Sequence, residues 1–260
     1  MIAWLWMALF QVAYADVVEQ VAGGEINWTE GVLYVRASAV AGPGGAEDLK
    51  STEQAARHKL VATLQSLGRQ VRVEGDRLCI DLMANADASS RALEEGLKEG
   101  RGHWRVVETR YFASGRVELK AELSLVEWIR PALVGSGEGD REAAANPGRS
   151  SGLLVDVRGL ELDPVFAPRI LSHNEEVLYD FRALSASRSV GRAPAMWVDD
   201  PVTPGLSDRV GASPLVLMAK GVTRRGDIVL SERDSARVAA IAAGADLLAA
   251  APVAIVMDPL

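Results

Sequence analysis

Three histidines, one cysteine and a scatter of aspartates are the side chains with which this chain could do chemistry. Cys79 lies in Arg77-Leu78-Cys79-Ile80-Asp81 with no histidine near it in sequence. A reactive thiol needs an electropositive, exposed setting and a base, so Cys79 is expected to be a small buried hydrophobe in a strand. As the lone cysteine it has no intrachain disulfide partner. His58, His103 and His173 are not paired at metal-ligand spacing. A zinc site takes three or four nitrogen, sulfur or carboxylate ligands, and no metal or cofactor is expected. No Gly-x-Ser-x-Gly elbow is present, and in the nearest stretch, Gly211-Ala212-Ser213-Pro214, the proline disfavours the strand-to-helix turn that such an elbow needs. Gly135-x-Gly137-x-Gly139 lacks the flanking strand and helix of a nucleotide loop.

The carboxylates offer more. Asp156, Asp163, Asp227 and Asp258 fall at or near strand ends in the second half. Gathered at one sheet edge, they could do acid–base work or bind a cation. The simpler role for each is to start a turn. Asp156 and Arg158 are alternate residues on one strand face. They are the candidate ligand site, or else a structural ion pair. Trp28, Trp104, Trp128 and Trp197 suit packing, except that Trp197 falls in a long loop where it could meet a partner.

The elements that would position these groups divide into two halves. Residues 26–40 read as a hairpin with Leu33, Val35, Ala37 and Ala39 on one face. A helix from about Ala46 to Leu67 follows, with Ala56, Leu60, Leu64 and Leu67 as its apolar stripe, His58 off it, and Gly68 as its stop. Two short strands are expected between Arg69 and Leu82, joined at Glu74-Gly75-Asp76. Asn85 or Asp87 then caps a second helix to about Lys98. Trp104–Phe112 and Arg116–Val126 form a hairpin across Ser114-Gly115. Residues 16–134 are thus expected to form an antiparallel sheet covered by two helices.

Residues 135–151 carry Gly, Ser, Pro and charge with almost no large apolar side chain, which marks a linker. Residues 152–260 are expected to form a smaller α/β domain. Its strands are 152–157, 169–171, 176–179, 214–218, 227–230 and 252–257. Ser231 and Asp234, at capping-box spacing, start a helix that runs to about Ala250. Residues 182–212 read as a long loop with little regular structure. The fold class is therefore α+β.

The amino terminus reads as an export signal. Residues 1–15, MIAWLWMALFQVAYA, are uncharged, and their apolar stretch from Ile2 to Val12 is too short to span a bilayer. Ala13 and Ala15 occupy the positions a signal peptidase reads, which makes Asp16 the first mature residue. No lysine or arginine precedes the apolar run, which raises the question of a start codon further upstream. No cysteine follows it to accept a lipid. The mature chain is then periplasmic, with no transmembrane helix, either free or peripheral to the outer membrane. A net charge of −7 opposes binding to nucleic acid and to anionic lipid.

Gly24-Glu25-Ile26-Asn27-Trp28-Thr29-Glu30-Gly31, Gln54-Ala55-Ala56-Arg57, the run Gly152 to Leu160, Ala167-Pro168-Arg169-Ile170-Leu171 and Asp227-Ile228-Val229-Leu230-Ser231 together resemble the bacterial lipoprotein-20-like envelope proteins. The first module is similar to the first domain of the flagellar assembly protein T. The resemblance implies an exported envelope protein with no established enzymatic activity, attached through a protein partner to a surface or flagellar assembly. The absent lipid-acceptor cysteine departs from the lipoprotein members. The alternative is a periplasmic small-ligand binder or hydrolytic enzyme whose site lies around Asp156, Arg158 and residues 182–212.

Overall fold

The computed structural model of the protein describes residues 16–42, 49–85, 87–98, 102–133, 150–183, 193–242 and 252–260. The signal positions Ala13 and Ala15 and most of the 135–151 linker lie outside these residues. The fold is α+β, with a second domain around 152–259.

The first half is a five-stranded antiparallel sheet in the order β1-β2-β3-β7-β6. Its strands are β1 (Val18–Val21), β2 (Gly24–Asn27), β3 (Val32–Val40), β6 (Trp104–Tyr111) and β7 (Arg116–Ser124). Alternation does the sorting. Leu33, Val35 and Ala39 of β3 and Val117, Leu119, Ala121 and Leu123 of β7 are buried on one face. Helix α1 (Leu49–Gln70) lies on that face and buries Ala56, Leu60, Leu64 and Leu67. The opposite face is wet, and it carries Glu25, Arg36, Glu118, Lys120 and Glu122 in cross-strand ion pairs.

Several local expectations change. Gly68 lies inside α1 rather than after it. A Cβ there would come within 2.9 Å of Leu97 Cδ2 and 3.1 Å of Trp128 Cη2, so the glycine admits two neighbours and does not end the helix. The strands β4 (Arg72–Glu74) and β5 (Arg77–Leu78) form their own two-stranded piece and do not join the main sheet. Cys79 is buried as expected, but it opens the short helix α2 (Cys79–Met83) instead of sitting in a strand. Asp87 caps α3 (Ala88–Gly96), accepting the Ser90 N–H at 2.7 Å. After β7 the chain turns into α4 (Leu125–Leu133), an element absent from the sequence reading. It buries Trp128, whose indole N–H donates to Leu93 O at 2.8 Å.

The second half is a seven-stranded mixed sheet in the order β10-β9-β13-β12-β8-β14-β11. β8 (Leu153–Asp156) is central and runs parallel to β12 (Leu215–Val222) and β14 (Val253–Val256). β14 runs parallel to β11 (Met196–Val198). β9 (Ile170–Leu171), β10 (Val177–Tyr179) and β13 (Ile228–Leu230) complete the far side. β8 and β14 are almost continuously apolar because both of their faces are covered, whereas β12 leaves Val216 and Met218 exposed. Leu153, Val155, Val253 and Ile255 face the main core, while Leu154, Ala254 and Val256 face the short helix α5 (Leu206–Val210). Helix α6 (Glu232–Ala242) closes an edge that β13 leaves open, as Asp234 Oδ2 accepts the Met218 N–H at 3.3 Å and Arg237 Nη1 donates to Val216 O at 3.0 Å.

The stretch 182–212 is therefore not a structureless loop, since β11 and α5 both lie within it. Trp197 is 1% exposed and donates its indole N–H to Val165 O at 2.9 Å. It is a core residue with a satisfied polar edge, not a surface residue open to a partner.

Candidate functional site

Parallel strands collect polar groups at their carboxyl ends, the usual place for a ligand in such sheets. Here Asp156 ends β8, Asp199 and Asp200 follow β11, and Asp258 follows β14. The candidate pair is made, and it is made internally. Arg158 Nε donates to Asp156 Oδ1 at 2.9 Å, Nη2 reaches Oδ2 at 2.5 Å, and the Arg158 backbone N–H donates to Oδ1 at 3.1 Å. These side-chain hydrogen bonds hold the Asp156 carboxyl below the usual carboxylate range and raise the Arg158 guanidinium. Arg158 is largely exposed, and neither residue lines any of the described pockets.

The other carboxylates are taken up separately. Asp258 Oδ2 accepts the Gly159 N–H at 2.6 Å, closing a turn in which Gly159 has φ 79°. Asp200 Oδ1 accepts the Val202 N–H at 2.8 Å as an Asx turn. Asp227 accepts from the Thr223 hydroxyl at 3.3 Å and lies 3.8 Å from Arg169. Asp163 lines a different pocket. His58, His103 and His173 are exposed on three separate elements. Among the described residues no group of three or more His, Cys, Asp or Glu is arranged to hold a metal ion. Burial pushes the Cys79 thiol well above its ordinary range, so the nucleophilic thiolate is disfavoured.

The residues that build the most specific geometry join the two halves; of them the sequence singled out only Asp16 and Trp197, and neither for this contact. Asp16 makes an antiparallel bridge to Val198 on the outer edge of β11. One position on, the Thr29 hydroxyl accepts the Val17 N–H at 2.9 Å and donates to Trp197 O at 2.7 Å, standing in for a ladder hydrogen bond. On the other side, Phe166 and Ala167 N–H donate to Arg72 O at 3.0 Å and Val73 O at 2.7 Å, extending β4 across the boundary. Arg72 Nε donates to Pro164 O at 2.9 Å while its Nη2 holds Glu19 at 2.5 Å. Glu74 lies beside Arg182 at 2.6 Å and Arg77 at 3.5 Å. A Cβ on Gly75, at φ 48°, would fall 1.9 Å from Arg225 O, so the β4–β5 turn and the β12–β13 turn touch backbone to backbone.

Beside that contact is a groove of about 230 Å³ lined by Asp76, Glu161, Asp163, Thr223, Arg224 and Arg225 among others. An apolar pocket of about 390 Å³ lies over Leu154, between α5 and Pro214. Neither holds an arrangement of nucleophile, base and oxyanion donors.

Fold and site together define an α+β protein whose second domain is a mostly parallel sheet with its carboxyl-end acids tied into turns and an ion pair. Residues 152–259, less than half of the chain, match the family model described as Treponema pallidum Tp0624, second domain. Comparison with the curated proteins finds no match. Neither finding supports the resemblance to the lipoprotein-20-like proteins or to flagellar assembly protein T. No helix among the described residues is long and apolar enough to cross a membrane.

Proposed function

We propose that this is an exported, noncatalytic protein of the cell envelope that binds a protein partner or stabilises a surface assembly, a flagellar one on the sequence resemblance alone. The observation that carries this reading is the state of the candidate pair. Asp156 and Arg158 satisfy each other at a strand end and face no described pocket. That geometry favours a structural role over the alternative of a small-ligand binder or hydrolytic enzyme. Export rests on the apolar leader and on the small residues Ala13 and Ala15 before Asp16.

The test is expression of the untagged chain in a Gram-negative host, followed by fractionation and intact mass. A species beginning at Asp16, released by osmotic shock and recovered in cross-links with envelope proteins, supports the reading. A cytoplasmic species that retains Met1 overturns it. A mature protein that cross-links to nothing in the envelope removes the partner-binding part.

A further inference from the structure

Asp16 is held more firmly than a chain terminus needs to be. Its backbone bridges Val198, its carboxylate accepts from Asn27 Nδ2 at 2.8 Å, and the next residue, Val17, is buried with its N–H on Thr29. Bridged residues in antiparallel strands lie about 4.5–5.5 Å apart at Cα. With Asp16 opposite Val198 and Val17 level with Trp197, the antiparallel direction carries the backbone nitrogen of Asp16 toward Asp199.

Asp199 has an unmet need. Its Oδ1 is buried and has no hydrogen-bond partner, which is costly for a carboxylate oxygen. The nearby charges do not help. Asp200 follows it directly, and the cation of this strand end, Arg158, is engaged by Asp156. Asp16 itself adds a further carboxylate. Among the described residues no ion pair reaches Asp199.

We propose that removal of the leader supplies one, so that the α-ammonium group freed at Asp16 pairs with the Asp199 carboxylate on the edge of β11. The inference rests on the export reading, because it takes the peptide bond between Ala15 and Asp16 as the one cut. Hydrolysis of that bond converts a neutral amide N–H into an ammonium group with three donors and a positive charge, and it releases the leader with a new carboxylate. The fold then locks more tightly after processing than before it.

Four purified chains test this by urea unfolding. Two begin at Asp16, cut from a fusion that leaves no extra residue, with Asp199 or Asp199→Asn. Two carry Gly-Ser ahead of Asp16 on the same pair of backgrounds. The expected result is that the extension raises the unfolding constant about fivefold or more when Asp199 is present, above the median for exposed pairs because one oxygen is out of water. With Asp199→Asn the extension has no such effect. An extension that costs nothing, or costs the same in both backgrounds, overturns the pairing. Should Asp199→Asn fail to fold, acylation of the Asp16 α-amine near neutral pH decides. Protection relative to a peptide of residues 16–21 supports the pairing, and equal reactivity overturns it. These chains are made without export, so their outcome is independent of the intact-mass experiment; there, a mature species beginning at another residue would leave export standing and overturn the pairing in the exported protein, because no ammonium group would form at Asp16.

Discussion

Replacing Thr29 by valine removes one hydroxyl and keeps the side chain's shape, so it isolates the seam between the halves. That hydroxyl accepts from Val17 N–H and donates to Trp197 O. Val17 is 2% exposed and Trp197 1%, so water cannot easily take its place. Each lost hydrogen bond is worth about 1 kcal/mol net, and each buried group left unpaired costs about 1–3 kcal/mol. With two such groups the expected loss is about 2–6 kcal/mol, and it falls in the lower half of that range because both hydrogen bonds lie at a partly buried seam. A urea slope of about 3 kcal/mol/M for a chain of this size turns this into a midpoint lower by about 1 M, with the slope unchanged. Thr29→Ser keeps the hydroxyl and loses one methyl, for about 1 kcal/mol or less. Urea unfolding followed by tryptophan fluorescence and far-UV circular dichroism reads both variants. A Thr29→Val midpoint within about 0.2 M of wild type would refute the accounting, since it means that the seam tolerates two orphaned groups. A serine variant as weak as the valine variant would place the effect in packing instead.

Gly68→Ala is expected to destabilise by about 1–3 kcal/mol despite alanine's better helix propensity, because the new methyl meets Leu97 and Trp128 inside a packed core; thermal unfolding measures it. Glu74 is buried against Arg182, Asp180, Arg77 and Arg169, and burial pushes its carboxyl above the usual carboxylate range, outweighing the pull of the guanidinium groups. The native state therefore holds this proton more tightly than the unfolded chain, and Glu74's contribution is fully present below the unfolded value and lost as pH rises through the folded one. The stability difference between wild type and Glu74→Gln should move in favour of the variant across that window, which a series of urea midpoints from acid to neutral pH would show. Cys79 should stay unlabelled by a thiol reagent in the native protein and react fully in denaturant, since its thiol is buried and its thiolate disfavoured. Residues 150–260 expressed alone should be poorly folded, because Val165, Phe166, Ala167 and Trp197 pack in a core shared with Val17, Trp28 and Val73; loss of cooperative unfolding is the readout.

Where one element's pattern is enough to place it, the sequence is readable. The Ala56/Leu60/Leu64/Leu67 stripe, the alternation of β3 and β7, and the caps at Asp87 and Ser231 all depend on neighbours within a few residues. What was not readable depends on distant partners. Gly68 looks like a helix stop until Leu97 and Trp128 arrive from later in the chain. β4 looks like a sheet strand, but Phe166 and Ala167 claim its carbonyls from the other half. Trp197 did carry a signal. Ala195-Met196-Trp197-Val198 is a short apolar run between Pro194 and Asp199, which fits a buried strand as well as a loop. The surrounding Ser, Gly and Pro outweighed it. Asp156 and Arg158 meet for a reason other than strand alternation: β8 ends at Asp156, and Arg158 lies in the turn that follows, where its guanidinium and its backbone N–H both donate back to the Asp156 carboxylate. Neither residue lines a described pocket, and no spacing within the chain signals that.

The seam bears on function as well as stability. A two-part protein that closes on a ligand needs its halves to separate at low cost, with few contacts crossing between them. Here the crossing contacts are backbone hydrogen bonds at Arg72 and Val73, the Thr29 hydroxyl on Trp197 O, Arg72 Nε on Pro164 O, and glycine backbones in touch at Gly75 and Gly226. Opening would orphan buried donors and expose one continuous apolar core. Hinged capture of a ligand between the halves is therefore disfavoured, and the proposed partner recognition would fall to the outer surface. The wet face of the first sheet is a regular part of that surface, and its charges are already paired across strands. A partner docking there would have to offer charges in matching register to replace those pairs, which favours specificity over raw affinity.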